Sequence, residues 1–232
     1  DVLKEAQDLG YAELHPEADV EGFDACRKIA ILSSLVYGEN VKYESIYTEG
    51  ITKITPADFA YAKQMNKTIK LIGISCNNED GKFAMVAPRM IGTESPLNCV
   101  QDVFNGILVH SNMLGDSMFY GSGAGKLPTA SAVVGDIVEA AKNPNRSMMA
   151  TWTSEKLELE EKADTTKRFF VRVKGTEAEL KDALEVAFGA IEVVKLEDKN
   201  DEFGFVTEVM SEGAYETIAA GFPQICHMIR VK

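Results

Sequence analysis

The alternation of apolar and polar positions divides the chain into short segments, and the period of each one names the element it predicts. Residues 1 to 10 read as a short amphipathic helix ended by Gly10, and residues 11 to 21 as an acidic loop. Gly22 to Tyr37 predicts a helix closed by Gly38. Its second half, Ile29-Ala30-Ile31-Leu32-Ser33-Ser34-Leu35-Val36, is apolar on nearly every face, which predicts a buried helix. Thr55 as cap and Pro56 at the first helical position open another helix. The strand-like runs 70–76 and 82–88 flank Asn78-Glu79-Asp80-Gly81, a hairpin signal. Two more strands are expected over 105–110 and 117–120. Pro128 then opens a helix to about Lys142, stopped by Asn143-Pro144-Asn145.

From Thr151 to Asp164 the chain turns polar and acidic, as a connector would, and the run Glu155 to Glu161 reads as a solvated segment. The tail has its own rhythm: strand 169–173, helix 177–188, strands 191–196 and 203–209, helix 214–220 and strand 225–231. That order, βαββαβ, is the split ferredoxin-like arrangement. The expected fold class is therefore α/β (α+β), with a mixed-sheet domain over 1–150, a linker over 151–166 and a ferredoxin-like domain over 167–232.

Composition narrows the classes of function. The chain has 232 residues, 45% hydrophobic and 26% charged, which is globular composition with room for two cores. Its apolar stretches fall short of the ~20 residues that span a bilayer, and no secretion signal is visible. A cytoplasmic protein away from membranes is expected. The net charge of -12 lacks any dense basic patch, which argues against nucleic acid as a partner. Cys26, Cys76, Cys99 and Cys226 are scattered, and reduced, buried thiols are expected of them. His15, His110 and His227 show no metal-ligand spacing, and Cys226 and His227 are strand neighbours that point to opposite faces, so no metal is expected. Met113, Met118, Met148 and Met149 read as packing residues. The chain opens inside a helix without an initiator Met, as a fragment would.

Three features carry candidate chemistry. Asp24 and Lys28 lie four residues apart at the start of a helix and share a face. The plain reading is an exposed salt bridge worth a few tenths of a kcal/mol. The apolar continuation of the helix supports the other reading, a pair facing an interior or cleft where the lysine exchanges protons. Glu13 and Asp19 join Asp24 within twelve residues, separated by Pro16 and Gly22, which turn the chain. Converging carboxylates of this kind suit an ammonium group, although loop carboxylates are more often simply solvated. In Tyr120-Gly121-Ser122-Gly123-Ala124-Gly125-Lys126-Leu127-Pro128, glycines lead from a strand into a helix whose first N–H groups can meet an anion. The alternative is a plain strand-to-helix turn; the run is neither a dinucleotide fingerprint nor a P-loop.

The segment from Ala6 to Lys28 resembles the signature of homoserine dehydrogenases: Gly10, Ala12, Pro16, Asp19, Gly22, Asp24 and Lys28 fall where that family has them. His15 departs from it, since the family usually has Asp, Asn or Ser before the proline. The run from Tyr120 to Asp136 is similar to a second block of the same family, a Gly-Ala-Gly turn followed by Pro-Thr-Ala. The βαββαβ tail resembles an ACT domain, so the likeness covers essentially the whole chain.

The resemblance implies an oxidoreductase of threonine and methionine biosynthesis that interconverts L-homoserine and L-aspartate 4-semialdehyde with NAD or NADP. It implies Lys28 as proton donor and acceptor, Asp24 as the group holding Lys28 and substrate in register, Glu13 on the substrate ammonium and Asp19 in support. Gly123, Ala124 and Gly125 would lie against the cofactor. The family's N-terminal nucleotide-binding domain has no counterpart in this sequence, so the chain alone is not expected to turn over. A homodimer is implied, and an amino-acid effector at the ACT-like part, although Val173-Lys174-Gly175-Thr176-Glu177 lacks the usual proline-containing turn there. The competing readings are a non-catalytic amino-acid-binding regulatory module and a plain α/β scaffold.

Overall fold

The computed structural model describes residues 2–8, 14–77, 81–146 and 151–232. In chain order come α1 (Val2–Asp8), α2 (Glu17–Val20), α3 (Phe23–Tyr37), β1 (Tyr47–Thr48), α4 (Pro56–Gln64), β2 (Lys67–Asn77) and β3 (Lys82–Gly92). Then follow β4 (Phe104–Ser111), β5 (Gly115–Ser122), α5 (Lys126–Lys142), β6 (Thr166–Lys174) and α6 (Glu177–Phe188). The chain ends with β7 (Ile191–Val194), β8 (Glu202–Thr207), β9 (Met210–Ser211), α7 (Glu212–Ala219) and β10 (Ile225–Val231). Contacts divide it into two compact units, Asp1–Pro16 with Glu94–Thr151, and Glu17–Thr93 with Trp152–Lys232.

The larger unit is built on a mixed eight-stranded sheet of order β1-β3-β10-β6-β8-β7, with β2 on β3 and β9 on β6. β2 and β3 pair antiparallel from Lys67↔Gly92 to Asn77↔Lys82. β1 and β10 follow one another along the other edge of β3, both parallel to it, through Tyr47↔Met85 and Arg230↔Arg89. In the order β10-β6-β8-β7 each strand is antiparallel to its neighbour, so the βαββαβ tail forms the ferredoxin-like order. Its α6 and α7 cover one face, where Phe169, Val171, Val173, Leu184, Phe188, Phe205 and Tyr215 are buried together. On the opposite face Tyr61 and Ala62 of α4 meet Met90, Phe170, Val206 and Ile229.

Helix α4 begins with a complete capping box: the Thr55 N–H and hydroxyl both donate to Asp58 Oδ2 at 2.7 Å. Helix α3 lies on β2 and β3 and departs from its expected burial. The residues it buries are small, Cys26, Ala30, Ser33 and Ser34, while Ile31, Leu35 and Val36 stand exposed on its other side. Small residues let the helix approach the sheet closely, above Gly73. The Ser33 and Ser34 hydroxyls are satisfied by donating back to the Ile29 and Ala30 carbonyls at 2.7 and 2.8 Å. Apolar content alone therefore misreads which side faces the core.

The expected acidic loop contains the helical turn α2, its first turn carrying Glu17 and Asp19. The acidic run Glu155 to Glu161 keeps Glu155, Glu158 and Glu161 in solvent, as expected, but it is also an ordered strap. Leu157 is buried against α3, the Thr153 N–H donates to the Gly38 carbonyl at 2.9 Å, and Asn40 exchanges backbone bonds with Glu155 and Leu157. Leu157 and Leu159, alternating with the acids, are what seat it. All four cysteines are free, but only Cys26 is buried; Cys99 and Cys226 are exposed.

The smaller unit holds α1, the β4–β5 hairpin and α5. The hairpin pairs from Phe104↔Ser122 to Ser111↔Gly115, and Met113 at its tip is exposed rather than packed. Helix α5 starts at Lys126, two residues before the expected Pro128, which leaves the proline in the first turn where it costs no hydrogen bond.

Candidate active site

The chain enters α3 through Gly22, whose φ of 79° is the left-handed region that favours glycine. A Cβ there would press on Val86 and Thr48, so glycine also lets the turn sit against the sheet. From this fixed start the first turn of α3 presents Asp24, and Lys28 follows one turn later. Lys28 Nζ lies 2.6 Å from Asp24 Oδ2, an i,i+4 ion pair whose side chains are 60% and 47% exposed. The pair therefore faces outward, in line with the exposed Ile31 and Leu35, and not into the interior of this unit. Asp19 is exposed on α2, and the Gly22 N–H donates to its carbonyl at 3.2 Å. Asp19, Asp24 and Lys28 thus come from one short helix–turn–helix stretch. Glu13 lies outside the described residues.

Gly123, Ala124 and Gly125 join β5 to α5 in the smaller unit. The Gly123 N–H donates to the Val103 carbonyl at 3.2 Å, and a Cβ on Gly123 would run into the Asn105 side chain. Gly125 caps α5 with φ 107° and offers no side-chain cap. The Thr129 N–H is taken by the Gly125 carbonyl, which leaves the Lys126 and Leu127 N–H groups at the helix start for an outside acceptor. Among the described residues no group of three His, Cys, Asp or Glu could hold a metal ion. His110 pairs with Asp116 at 2.7 Å on the exposed hairpin, and His227 lies 3.1 Å from the buried Asp58.

One cluster escaped the reading of the sequence. Arg230 of β10 is 1% exposed and bonds two carboxylates: Nε and Nη2 donate to Glu212, the former at 3.1 Å, and Nη1 donates to Glu49 Oε2 at 2.7 Å. Glu212, fully buried as the first residue of α7, also receives Lys167 at 3.1 Å. Burial alone would raise the Glu212 pKa, but the hydrogen bond and charge of Arg230, with Lys167, hold it below the usual carboxylate value. Burial would likewise lower Arg230, and Glu212 and Glu49 together raise it instead. The one available signal was an arginine inside the apolar run Ile225 to Val231, a residue that can be buried only with partners.

Comparison with known proteins places the chain in a family. The homoserine dehydrogenase family profile matches residues 1–138. A homoserine dehydrogenase of Helicobacter pylori is 44% identical over 173 residues, 75% of this chain and 41% of that protein. One from Corynebacterium glutamicum is 37% identical over 94% of this chain and 51% of its own length. A solved homoserine dehydrogenase from Thiobacillus denitrificans superposes over the whole chain and 58% of its own, with a TM-score of 0.84 at 29% identity. A Staphylococcus aureus homoserine dehydrogenase does so over 99% of the chain and 58% of its own, with a TM-score of 0.78 at 31% identity. The chain thus spans roughly half the length of these relatives, in both sequence and fold, and it belongs to the homoserine dehydrogenase family.

Proposed function

We propose that this chain supplies the substrate-binding and proton-transfer part of a homoserine dehydrogenase, which interconverts L-homoserine and L-aspartate 4-semialdehyde. The observation that carries the reading is the Asp24–Lys28 pair at 2.6 Å, outward-facing on the first turns of α3, in a chain of this family. An outward-facing ammonium group can reach a substrate that lies against the helix. Lys28 gives its proton to the aldehyde oxygen as the carbonyl is reduced, and takes it back in the reverse direction. Asp24 holds Nζ in place, Asp19 supports the polar end of the substrate, and Glu13 binds its ammonium group.

NAD or NADP supplies or accepts the hydride. Residues Gly123, Ala124 and Gly125 fit that cofactor, since the turn has almost no side chain and its following helix start leaves two N–H groups for an acceptor. The expected functional division is 1–150 for substrate and dimerisation, 151–166 as connector and 167–232 as an ACT-like regulatory part. At the β6–α6 turn of that last part lies a cavity of about 380 Å³, lined by Thr176, Glu177, Asp182, Lys181 and Lys195. Charges of both signs suit a zwitterionic amino-acid effector. They also support the second reading, a module that binds an amino acid without turnover. We further propose a homodimer working in the cytoplasm.

The test is NAD(P)H formation from L-homoserine by the full-length protein and by its Lys28→Ala variant. A fall in kcat of about two orders of magnitude or more, the scale of a lost general acid–base group, is expected. A folded, homoserine-binding wild type that does not turn over leaves the binding module.

A further inference from the structure

We infer that Arg230, through Glu49, is a positioning residue for the stretch 19–28 that carries Asp19, Asp24 and Lys28. The inference rests on the dehydrogenase reading. Its structural basis is a short relay of contacts within the larger unit. Glu212, at the start of α7, grips the Arg230 guanidinium from one side, and Glu49 takes Nη1 from the other. The Tyr47 hydroxyl adds a bond to Glu49 at 3.2 Å, and the Glu49 N–H donates to the Val86 carbonyl at 2.8 Å. Glu49 is thus held by its side chain on β10 and by its backbone on β3.

The next residues press on the site. The Ile51 N–H donates to the Val20 carbonyl at 2.7 Å. Gly50 lies so close to Val20 and Glu21 that a Cβ on it would overlap their backbone atoms. Val20 is the neighbour of Asp19, and Gly22 two residues on opens α3, its own surface against Val86 and Thr48. Residues 47–51 therefore form a wedge between Arg230 and the turn that aims Asp24 and Lys28. The Arg230–Glu212 pair at the centre of the relay is buried, and burying charges would be an expensive way to gain stability alone, because apolar residues of similar volume often serve as well or better. Its geometry does something an apolar patch cannot: it fixes the wedge in direction as well as in depth.

The test uses the full-length protein and L-homoserine oxidation. In Glu49→Gln, Arg230 keeps Glu212 as its partner while the charged hold on the wedge is lost. A rise in KM with a fall in kcat/KM of roughly tenfold or more is expected, the scale of small misplacements in a site. Glu49→Asp, which restores the charge, is expected to recover most of it. Tyr47→Phe, which removes only one donor to Glu49, is expected to shift KM the same way by less, and reads the wedge even if Glu49→Gln does not fold. Phe188→Leu, in the apolar layer on α6, is the control: it should lower Tm without moving KM. Unchanged kinetics in Glu49→Gln and Tyr47→Phe overturn the inference. So does an equal KM shift in Phe188→Leu, because the loss would then follow stability. An inactive wild type overturns the dehydrogenase reading itself, and the positioning role with it.

Discussion

At the scale of single residues, the groups that decide behaviour are those whose charge the fold has committed. Asp58 is fully buried and caps α4, with Arg172 Nη1 at 3.2 Å and His227 Nδ1 at 3.1 Å from its Oδ1. Burial alone would raise its pKa, but His227 beside it and the bonds from Thr55 outweigh that and hold it below the usual value. A carboxylate whose folded pKa is depressed contributes stability that is full above its unfolded pKa of about 3.9 and is lost as pH falls through the lower folded value. The Tm of the wild type should therefore drop below about pH 4, and the gap between it and Asp58→Asn should narrow over the same range. A Tm titration of both proteins checks this. Asp24 and Lys28 were legible from their spacing alone, because an i,i+4 pair at a helix start can adopt few other geometries. Arg230 with Glu49 was not, since 181 positions separate two residues that only the sheet brings together.

At the scale of elements, boundaries set by local chemistry were readable and facings set by tertiary contact were not. Gly22, Gly38 and Thr55 before Pro56 mark their helix ends in the sequence, and the structure puts caps at all three. The outward turn of Ile31 and Leu35 depends on where β2 and β3 lie, which no helical period reports. Strand β1 is two residues long, too short for a pattern to show. Gly50→Ala is the sharpest probe at this scale, because the added methyl meets backbone rather than a yielding side chain. It should displace α2 from the 49–51 segment, destabilise the protein by about 1–3 kcal/mol and raise KM for the proposed substrate, homoserine. Denaturant unfolding with steady-state kinetics measures both effects.

At the scale of the whole molecule, the smaller unit carries exposed apolar residues that bear on the proposed homodimer. Val133, Val134, Ile137 and Val138 of α5 are exposed, as are Phe104, Ile107, Phe119 and Tyr120 of the hairpin. Patches of this kind mark interaction surfaces. In sedimentation the chain is expected to run heavier than its 25.4 kDa, with Ile137→Glu shifting it toward the monomer. Parallel pairing of β10 with β3 has another consequence. The Lys232 N–H donates to the Met90 carbonyl at 2.9 Å, so the last strand of the ferredoxin-like part completes a sheet begun some 140 residues earlier. Amides of 83–91 and 225–231 should therefore exchange with solvent as one cooperative block, and opening either should release both. An engineer who exchanged the tail for that of a relative would be replacing a staple rather than an accessory, and the graft would hold only if its final strand could re-form the Arg230↔Arg89 register.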